Sequence, residues 1–404
     1  MTLEEFIEKA YDGTLTLEDI VQFRESGGDI DGAVVIEGLH SPTISEDPAI
    51  VAATKGNKIE TVRLLLEQGA NVNARSSEYS LTALQFACHS GRGRYEIASL
   101  LLDQEGCNPS LASSPTNHDA LHILLRIEGH EKPPVELVEK MIRVGRMDVN
   151  KKISSPLSDQ SYLASACEHG CLDIVKLLIS LGATDLNNSL YQATRAPHLY
   201  TRNPEIVKLL LEQGANPNHE SLLVTQTPLL QSVLSLDIDK QEEEKSSNNI
   251  KIAELLMGTG GDLFFQSAIF ADKTTPIEKL FSKRTLLNND QKRSEVIEDF
   301  CTIFANVFAS KAQNMLIQER SDAQVPNLSY DNAHDITHSL AVKCLSSCPP
   351  DYESLKNFVW TINHLPDAPQ QQSSEALEKP RSFVEAAMAG KFADIGSRGG
   401  HKEI

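Results

Sequence analysis

Apolar residues fall three and four positions apart through most of this chain, a spacing that predicts amphipathic helices. Two short apolar runs, Val62 to Leu66 and Ile206 to Leu211, are closed by nearly the same phrase, Glu67-Gln68-Gly69-Ala70-Asn71-Val72-Asn73 and Glu212-Gln213-Gly214-Ala215-Asn216-Pro217-Asn218. A segment that returns in this way is one supersecondary unit stacked on copies of itself, which predicts a solenoid. Function is then expected on a long surface and not in one pocket.

The fullest unit starts at Pro48. It runs Ala49-Ile50-Val51-Ala52-Ala53-Thr54-Lys55-Gly56-Asn57, then Glu60 to Leu66, then Gly69-Ala70-Asn71-Val72-Asn73. Paired alanines let neighbouring first helices approach, Gly56 is expected to take the left-handed conformation that ends a helix, Gly69 to end the second helix, and leucines fill the seam between units. The asparagines are expected to bond to their own turn backbone. This unit resembles the ankyrin repeat, whose pattern is a short helix, a leucine-rich helix and a Gly-Ala-Asp/Asn-x-Asn turn.

Further copies are read at Thr82 to Asn108, with Thr82 as helix cap, at Asp119 to Asn150, at Tyr162 to Ala183, at Leu190 to Asn216, and at Thr227 to Asp262. A degenerate copy with a polar first helix covers Phe6 to Asp31 and suits an end cap. The closing glycines at 69, 106, 145, 182, 214 and 260 are 37, 39, 37, 32 and 46 residues apart, looser than the usual period of about 33. Insertions account for the excess, at 110–117, 129–134, 151–159, 196–203 and 236–249.

The phrase stops after Asp262 and longer helices follow. They are predicted at Pro276 to Phe281, Gln291 to Gln318 (apolar at Val296, Phe300, Ile303, Phe304, Val307 and Phe308), Ala333 to Cys344, and Tyr352 to Ile362. The expected organisation is all-α. A solenoid of about six to seven helix-turn-helix repeats occupies 1–263 and a helical C-terminal domain 264–365, covering the open end of the solenoid. A flexible linker and short tail helix occupy 366–404.

Charge narrows the partner. The net charge is −19, most of it on 1–263, where 38 acidic face 22 basic side chains. Such a surface repels phosphate, so nucleic acid and anionic membrane are excluded as partners and a protein with a basic patch is favoured. The acidic start of the chain and the lack of a long apolar stretch predict a soluble, cytoplasmic monomer with no cleavable leader and no membrane insertion. Seven scattered cysteines do not form a disulfide framework and fit a reducing compartment.

Catalytic signatures are sparse. His334-Asp335-Ile336-Thr337-His338 has the i, i+4 histidine spacing of zinc hydrolases but lacks the glutamate and a third ligand. The cysteines in repeat helices, and Cys301 in its apolar run, read as buried packing residues. His122 stands where the ankyrin pattern commonly has histidine, which implies a structural hydrogen-bonding role. No metal, cofactor or catalytic residue is expected from these patterns.

The resemblance implies that hairpin tips and first helices form a concave groove for a protein partner. Carried onto this sequence, the tip residues include Arg75, Ser77, Glu78 and Tyr79. The outward first-helix positions are Lys55, Gln85, His89, Glu168, His169, Gln192 and Arg195, and Arg92 joins them with Tyr95, Tyr191 and Tyr200 as residue types that dominate binding energy when desolvated. The expected function is a protein-interaction scaffold or adaptor. Two alternatives stand beside it: a hydrolase or transferase housed in the C-terminal helices with the repeats as targeting arm, and a repeat protein that binds through the charged insertion at 237–249. The irregular spacing, insertions and helical appendage are similar to ankyrin proteins that intracellular bacteria deliver into host cells, which implies translocation without a cleavable signal.

Overall fold

Polar residues at the chain start are placed to begin helices. Thr2 caps helix α1 (Leu3–Asp12), its hydroxyl accepting from the Glu5 N–H while the Glu5 carboxylate accepts from the Thr2 N–H. Thr16 and Asp19 repeat this reciprocal box at helix α2 (Leu17–Glu25). Each box satisfies two of the N–H groups that a helix start otherwise leaves orphaned. Lys9 then ties the two helices through a 2.7 Å pair with Asp19, and the rings of Phe6 and Phe23 stack at 4.3 Å between them.

The computed structural model describes residues 1–33, 47–77, 79–89, 94–126, 132–155, 158–195, 202–220, 227–235, 243–262, 265, 275, 277–278, 290–319, 330–346 and 355. The chain divides into two compact units, Met1–Asp185 and Leu186–Ile404.

In the first unit, four more helix pairs follow α1 and α2: α3 (Ala49–Lys55) with α4 (Ile59–Glu67), α5 (Ala83–His89) with α6 (Tyr95–Leu102), α7 (Ala120–Leu125) with α8 (Val135–Gly145), and α9 (Tyr162–Glu168) with α10 (Leu172–Ser180). First helices stack on first helices, α1 on α3, α3 on α5, α5 on α7 and α7 on α9, and second helices on second helices. Small residues make the first row possible: Ala49, Ala52, Ala53, Ala83, Ala87, Ala120, Ala164 and Ala166 have no exposure. Larger side chains at i and i+3 or i+4 fill the second row, Val62 and Leu65, Ile97 and Leu101, Val138 and Met141, Val175 and Leu178. Each such side chain contributes on the order of 1.5–3 kcal/mol by leaving water.

The insertion at 151–159 is not an irregular connection. Strands β1 (Lys152–Ser155) and β2 (Ser158–Ser161) pair antiparallel, Lys152 opposite Ser161 and Ile153 opposite Gln160. The all-α expectation therefore holds with one two-stranded hairpin added.

The second unit contains α11 (Leu186–Arg195), α12 (Pro204–Glu212), α13 (Pro228–Ser235), α14 (Glu243–Gly258), α15 (Asp290–Glu319) and α16 (Tyr330–Ser346). Helix α14 starts inside the expected insertion. Nothing from 243 to 257 breaks a helix. Helix α15 packs on α14 and on α16. Val296, Phe300, Ile303, Phe304 and Val307 form its buried stripe, and Asn306 donates to Glu254 of α14 at 2.7 Å. The helix expected at 276–281 falls almost wholly outside the described residues, as do the one at 352–362 and the segment 366–404.

Seven helix pairs thus carry the repeat pattern among the described residues. Their turns divide one task between two side chains. In five of these turns the first Asn or Asp accepts from the N–H two residues on: Asp29 from Asp31, Asn71 from Asn73, Asn108 from Ser110, Asp148 from Asn150 and Asn216 from Asn218. The second reaches forward. Asn73 donates to the Gly106 carbonyl at 2.8 Å and accepts from the Asn108 N–H at 3.0 Å. Asn150 does the same to Gly182 and Thr184, and Asn218 to Gly260 and Asp262. The expectation of bonds within a turn holds for the first asparagine and misses the second, which clamps neighbouring units.

Two glycines serve otherwise than expected. Gly56 has φ −70°, and Asn57 takes the left-handed turn with φ 58°. A Cβ on Gly56 would lie 2.0 Å from the Tyr11 carbonyl oxygen, so close approach of the preceding unit demands glycine. Gly145 likewise ends α8 inside the helix while Arg146 turns left-handed at φ 45°, and its missing Cβ leaves room for Pro109 and Met147 at 2.8 Å.

Candidate functional site

The tip at 75–82 is built for rigidity. Arg75 and Thr82 form an isolated antiparallel bridge, Ser76 donates its N–H to the Leu81 carbonyl, and the Ser76 hydroxyl accepts from the Leu81 N–H. Tyr79 and Ser80 both have positive φ, 57° and 49°, as a tight primed turn requires and as residues with a Cβ resist. Three bonds hold this unfavourable backbone. Arg75 Nη1 donates to the carbonyls of Ser80 at 3.0 Å and Ala112 at 2.9 Å, and the Ser114 N–H donates to the Tyr79 carbonyl at 2.9 Å. The guanidinium and the Ser114 bond lock one tip to the next, leaving the Tyr79 ring 55% exposed.

The other expected residues separate into three groups. His89 and Arg195 are exposed at the ends of α5 and α11, while Glu168 and His169 are half-buried at the end of α9. Lys55 is half-buried and engaged: its ammonium pairs with the buried Asp47, lies 4.5 Å from the centre of the Phe86 ring, and its carbonyl accepts from Arg94 Nη2. Glu78 and Arg92 lie outside the described residues, as does Tyr200.

Gln85 and Gln192 are not outward residues. Gln85 is 1% exposed; its Nε2 donates to the carbonyls of Leu111 and His118, and its Oε1 accepts from the Thr82 N–H. It occupies the position of His122, three residues after a capping side chain: Thr82 caps the Gln85 N–H as Asp119 caps that of His122. The signal lay in that shared spacing. Gln192 is 4% exposed because the whole stretch Ser189–Thr194 is buried where α11 meets α12 and α13. Tyr191 shares this burial. Lys55 to His169 belong to the first unit, Gln192 and Arg195 to the second.

A cluster that no motif announces lies inside the first unit. Asp119, with no exposure, accepts from the His122 N–H and pairs with His122 Nδ1 at 2.9 Å on one oxygen. On the other it accepts from Tyr162 Oη at 2.7 Å and Lys151 Nζ at 2.8 Å. His122 and Tyr162 rings lie 4.2 Å apart. Burial by itself raises a carboxyl pKa, yet the hydrogen bonds from His122 and Lys151 outweigh it and hold Asp119 well below the ordinary carboxylate value. Burial, followed by the neighbouring Asp119 charge, drives the Tyr162 phenol far up. Tyr162 has no exposure and His122 1%, so no substrate reaches the group; it joins two repeats and the β hairpin, in keeping with the structural role expected of His122.

The described cysteines, Cys88, Cys107, Cys167, Cys171, Cys301 and Cys344, are all buried free thiols. Burial pushes Cys107 and Cys171 up to about 11 and Cys301 to about 12, the reverse of what a thiolate nucleophile needs. His338 pairs with Glu298 of α15 at 3.0 Å, and the His334 ring stacks near it. Among the described residues, no group of three or more His, Cys, Asp or Glu side chains is placed to hold a metal, and no helix is long and apolar enough to cross a membrane.

A family model described as Ankyrin repeats (3 copies) matches residues 35–113 and 112–221. The chain is similar to the ankyrin repeat and KH domain-containing protein mask-1 of Caenorhabditis elegans, 32% identical over 108 residues, covering 26% of this chain and 4% of that protein. It is also similar to the ankyrin repeat protein nuc-2 of Neurospora crassa, 26% identical over 216 residues, covering 52% of this chain and 17% of that protein. The match therefore spans under a fifth of either relative. Among solved structures, the human ASB11 ankyrin repeat domain aligns with 61% of this chain and 96% of its own at 21% identity, with a TM-score of 0.43. With its paired helices, closing left-handed glycines and family-model match, this chain contains ankyrin-repeat domains.

Proposed function

We propose that this chain is a protein-interaction scaffold that holds a partner protein on the tips and first-helix ends of the unit Met1–Asp185. Ankyrin repeats in general mediate protein–protein interaction. The observation that carries the proposal is Tyr79: a large aromatic side chain, 55% exposed, on a turn whose unfavourable backbone is locked by Arg75 and Ser114. Strained backbone persists where its surroundings over-determine it, and such sites cluster at function. A rigid aromatic anchor also loses little entropy on binding. His89 and Glu168, at the ends of their first helices, supply polar contacts on the same proposed face. The net charge of −19 favours a partner with a basic patch. A reducing compartment such as the cytoplasm suits the six free thiols among the described residues.

Affinity capture from cell lysate with the intact chain, quantified by mass spectrometry, provides the test. Tyr79→Ala is expected to weaken capture of the specific partner by about tenfold or more, as loss of an anchor does, with thermal stability unchanged. Glu168→Lys should weaken it less. Partner recovery that is the same for wild type, Tyr79→Ala and Glu168→Lys removes this face from consideration.

A further inference from the structure

The second helix of the first repeat exposes apolar side chains where three of its counterparts expose cations. Leu17 and Val21, one turn apart on α2, are 50% and 43% exposed. Counting back six residues from the left-handed glycines Gly27, Gly69, Gly182 and Gly214 gives Val21, Arg63, Lys176 and Lys208. The last three are exposed, as that position on the outer face of a second helix dictates.

The surrounding charge says what such a face accepts. Residues 1–33 contain nine acidic and two basic side chains, a net charge of −7. Both cations are already used: Lys9 pairs with Asp19 at 2.7 Å, and Arg24 donates to the Gln68 carbonyl of α4. Glu18 and Glu25 are exposed on the same stripe of α2 as Leu17 and Val21, so two aliphatic side chains are bordered by two carboxylates.

We propose that this face of α2 docks a basic amphipathic segment of a partner protein, its aliphatic side chains on Leu17 and Val21 and its lysines or arginines on Glu18 and Glu25. An acidic or purely apolar segment does not satisfy both halves of the face. This surface lies on a second helix, apart from the tips and first-helix ends assigned above, and does not depend on them.

The test uses the full chain and a defined probe, a short labelled helical peptide of leucine and lysine with the leucines on one side, followed by fluorescence anisotropy. Wild type should bind it in a salt-sensitive manner and should not bind the counterpart with glutamate for lysine. The double variant Leu17→Asn, Val21→Asn keeps the charge unchanged and should weaken binding by about tenfold, the scale expected when two aliphatic contacts are lost. Glu18→Lys with Glu25→Lys should weaken it at least as much. Both pairs are at exposed positions, and an unchanged thermal transition shows that the fold is intact. Equal peptide binding by wild type and the asparagine variant overturns the proposal, because net charge alone then explains the attraction. A concentration-dependent dimer of wild type that the asparagine variant abolishes overturns it too, the face then belonging to a second copy of the chain.

Discussion

Two junctions within Met1–Asp185 join neighbouring repeats by different chemistry. Between the second and third repeats, the Asn73 amide bridges exposed turn backbones, donating to Gly106 and accepting from Asn108. In the next turn Ser110 follows Asn108 where Asn73 follows Asn71, and a hydroxymethyl side chain has no amide with which to make that pair of bonds. There the repeats close on Pro109 against Gly145, and one repeat later the buried carboxylate of Asp119 collects four hydrogen bonds. A clamp in water is cheap to lose and to replace, because water competes for both its partners. A buried carboxylate is costly to disturb, because nothing substitutes for it.

Removing the hub should have the largest effect. Asp119→Ala leaves His122, Tyr162 and Lys151 without their acceptor in a closed interior and is expected to destabilise the chain by about 3–5 kcal/mol, read from urea or thermal unfolding. An effect below that of an ordinary surface substitution would mean that the carboxylate is not what holds the junction.

The turn clamp should yield less. Asn73→Ala should cost about 1–2 kcal/mol, the worth of two partly solvated hydrogen bonds. Ser110→Asn supplies the missing amide and should be neutral or stabilise by up to about 1 kcal/mol on the same scale. If Ser110→Asn destabilises, the fourth repeat is placed so that no such clamp fits, and the comparison becomes one of geometry and not of side-chain chemistry.

Acid should separate the two kinds of junction by a smaller, graded effect. Asp119 and Asp19 titrate below their unfolded values; hydrogen bonding from Lys9, then from Thr16, lowers Asp19 to about 2. A depressed carboxyl stabilises the fold above its unfolded pKa and loses that contribution as pH falls through the folded one. Stability should therefore decline from about pH 4 downward, with a shallower decline in Asp119→Ala and an unaltered one in Asn73→Ala. Unfolding midpoints measured across that range decide it; equal slopes in all three proteins would show that Asp119 is not protonated differently in the folded chain.

The contrast also marks how far the sequence can be read. Helix periodicity located α15 and α16 to within a few residues, because a long amphipathic stripe over-determines its own helix. The recurring Gly-Ala-Asn phrase located the turns for a similar reason. Individual roles were harder to see. Gln85 reads as a polar surface residue until its spacing from Thr82 is compared with that of His122 from Asp119. Gly56 reads as a left-handed residue, whereas Asn57 takes that conformation and the glycine admits a neighbouring backbone. Lys151 and Tyr162, 32 and 43 residues from Asp119, meet it only because the repeats stack, and no local pattern encodes that. Tyr79 was singled out by residue type, but the turn conformation that presents it is held from another tip.

The asparagine clamp has a direction. Asn73 and Asn150 each reach toward the turn that follows in the chain. A repeat leaving the ribosome therefore already carries the amide that will receive its successor, and the successor's turn is held as soon as it emerges. Growth of the array in chain order is templated at each turn that carries such an amide, whereas growth in the reverse order would have to order the receiving turn before the residue that holds it is in place.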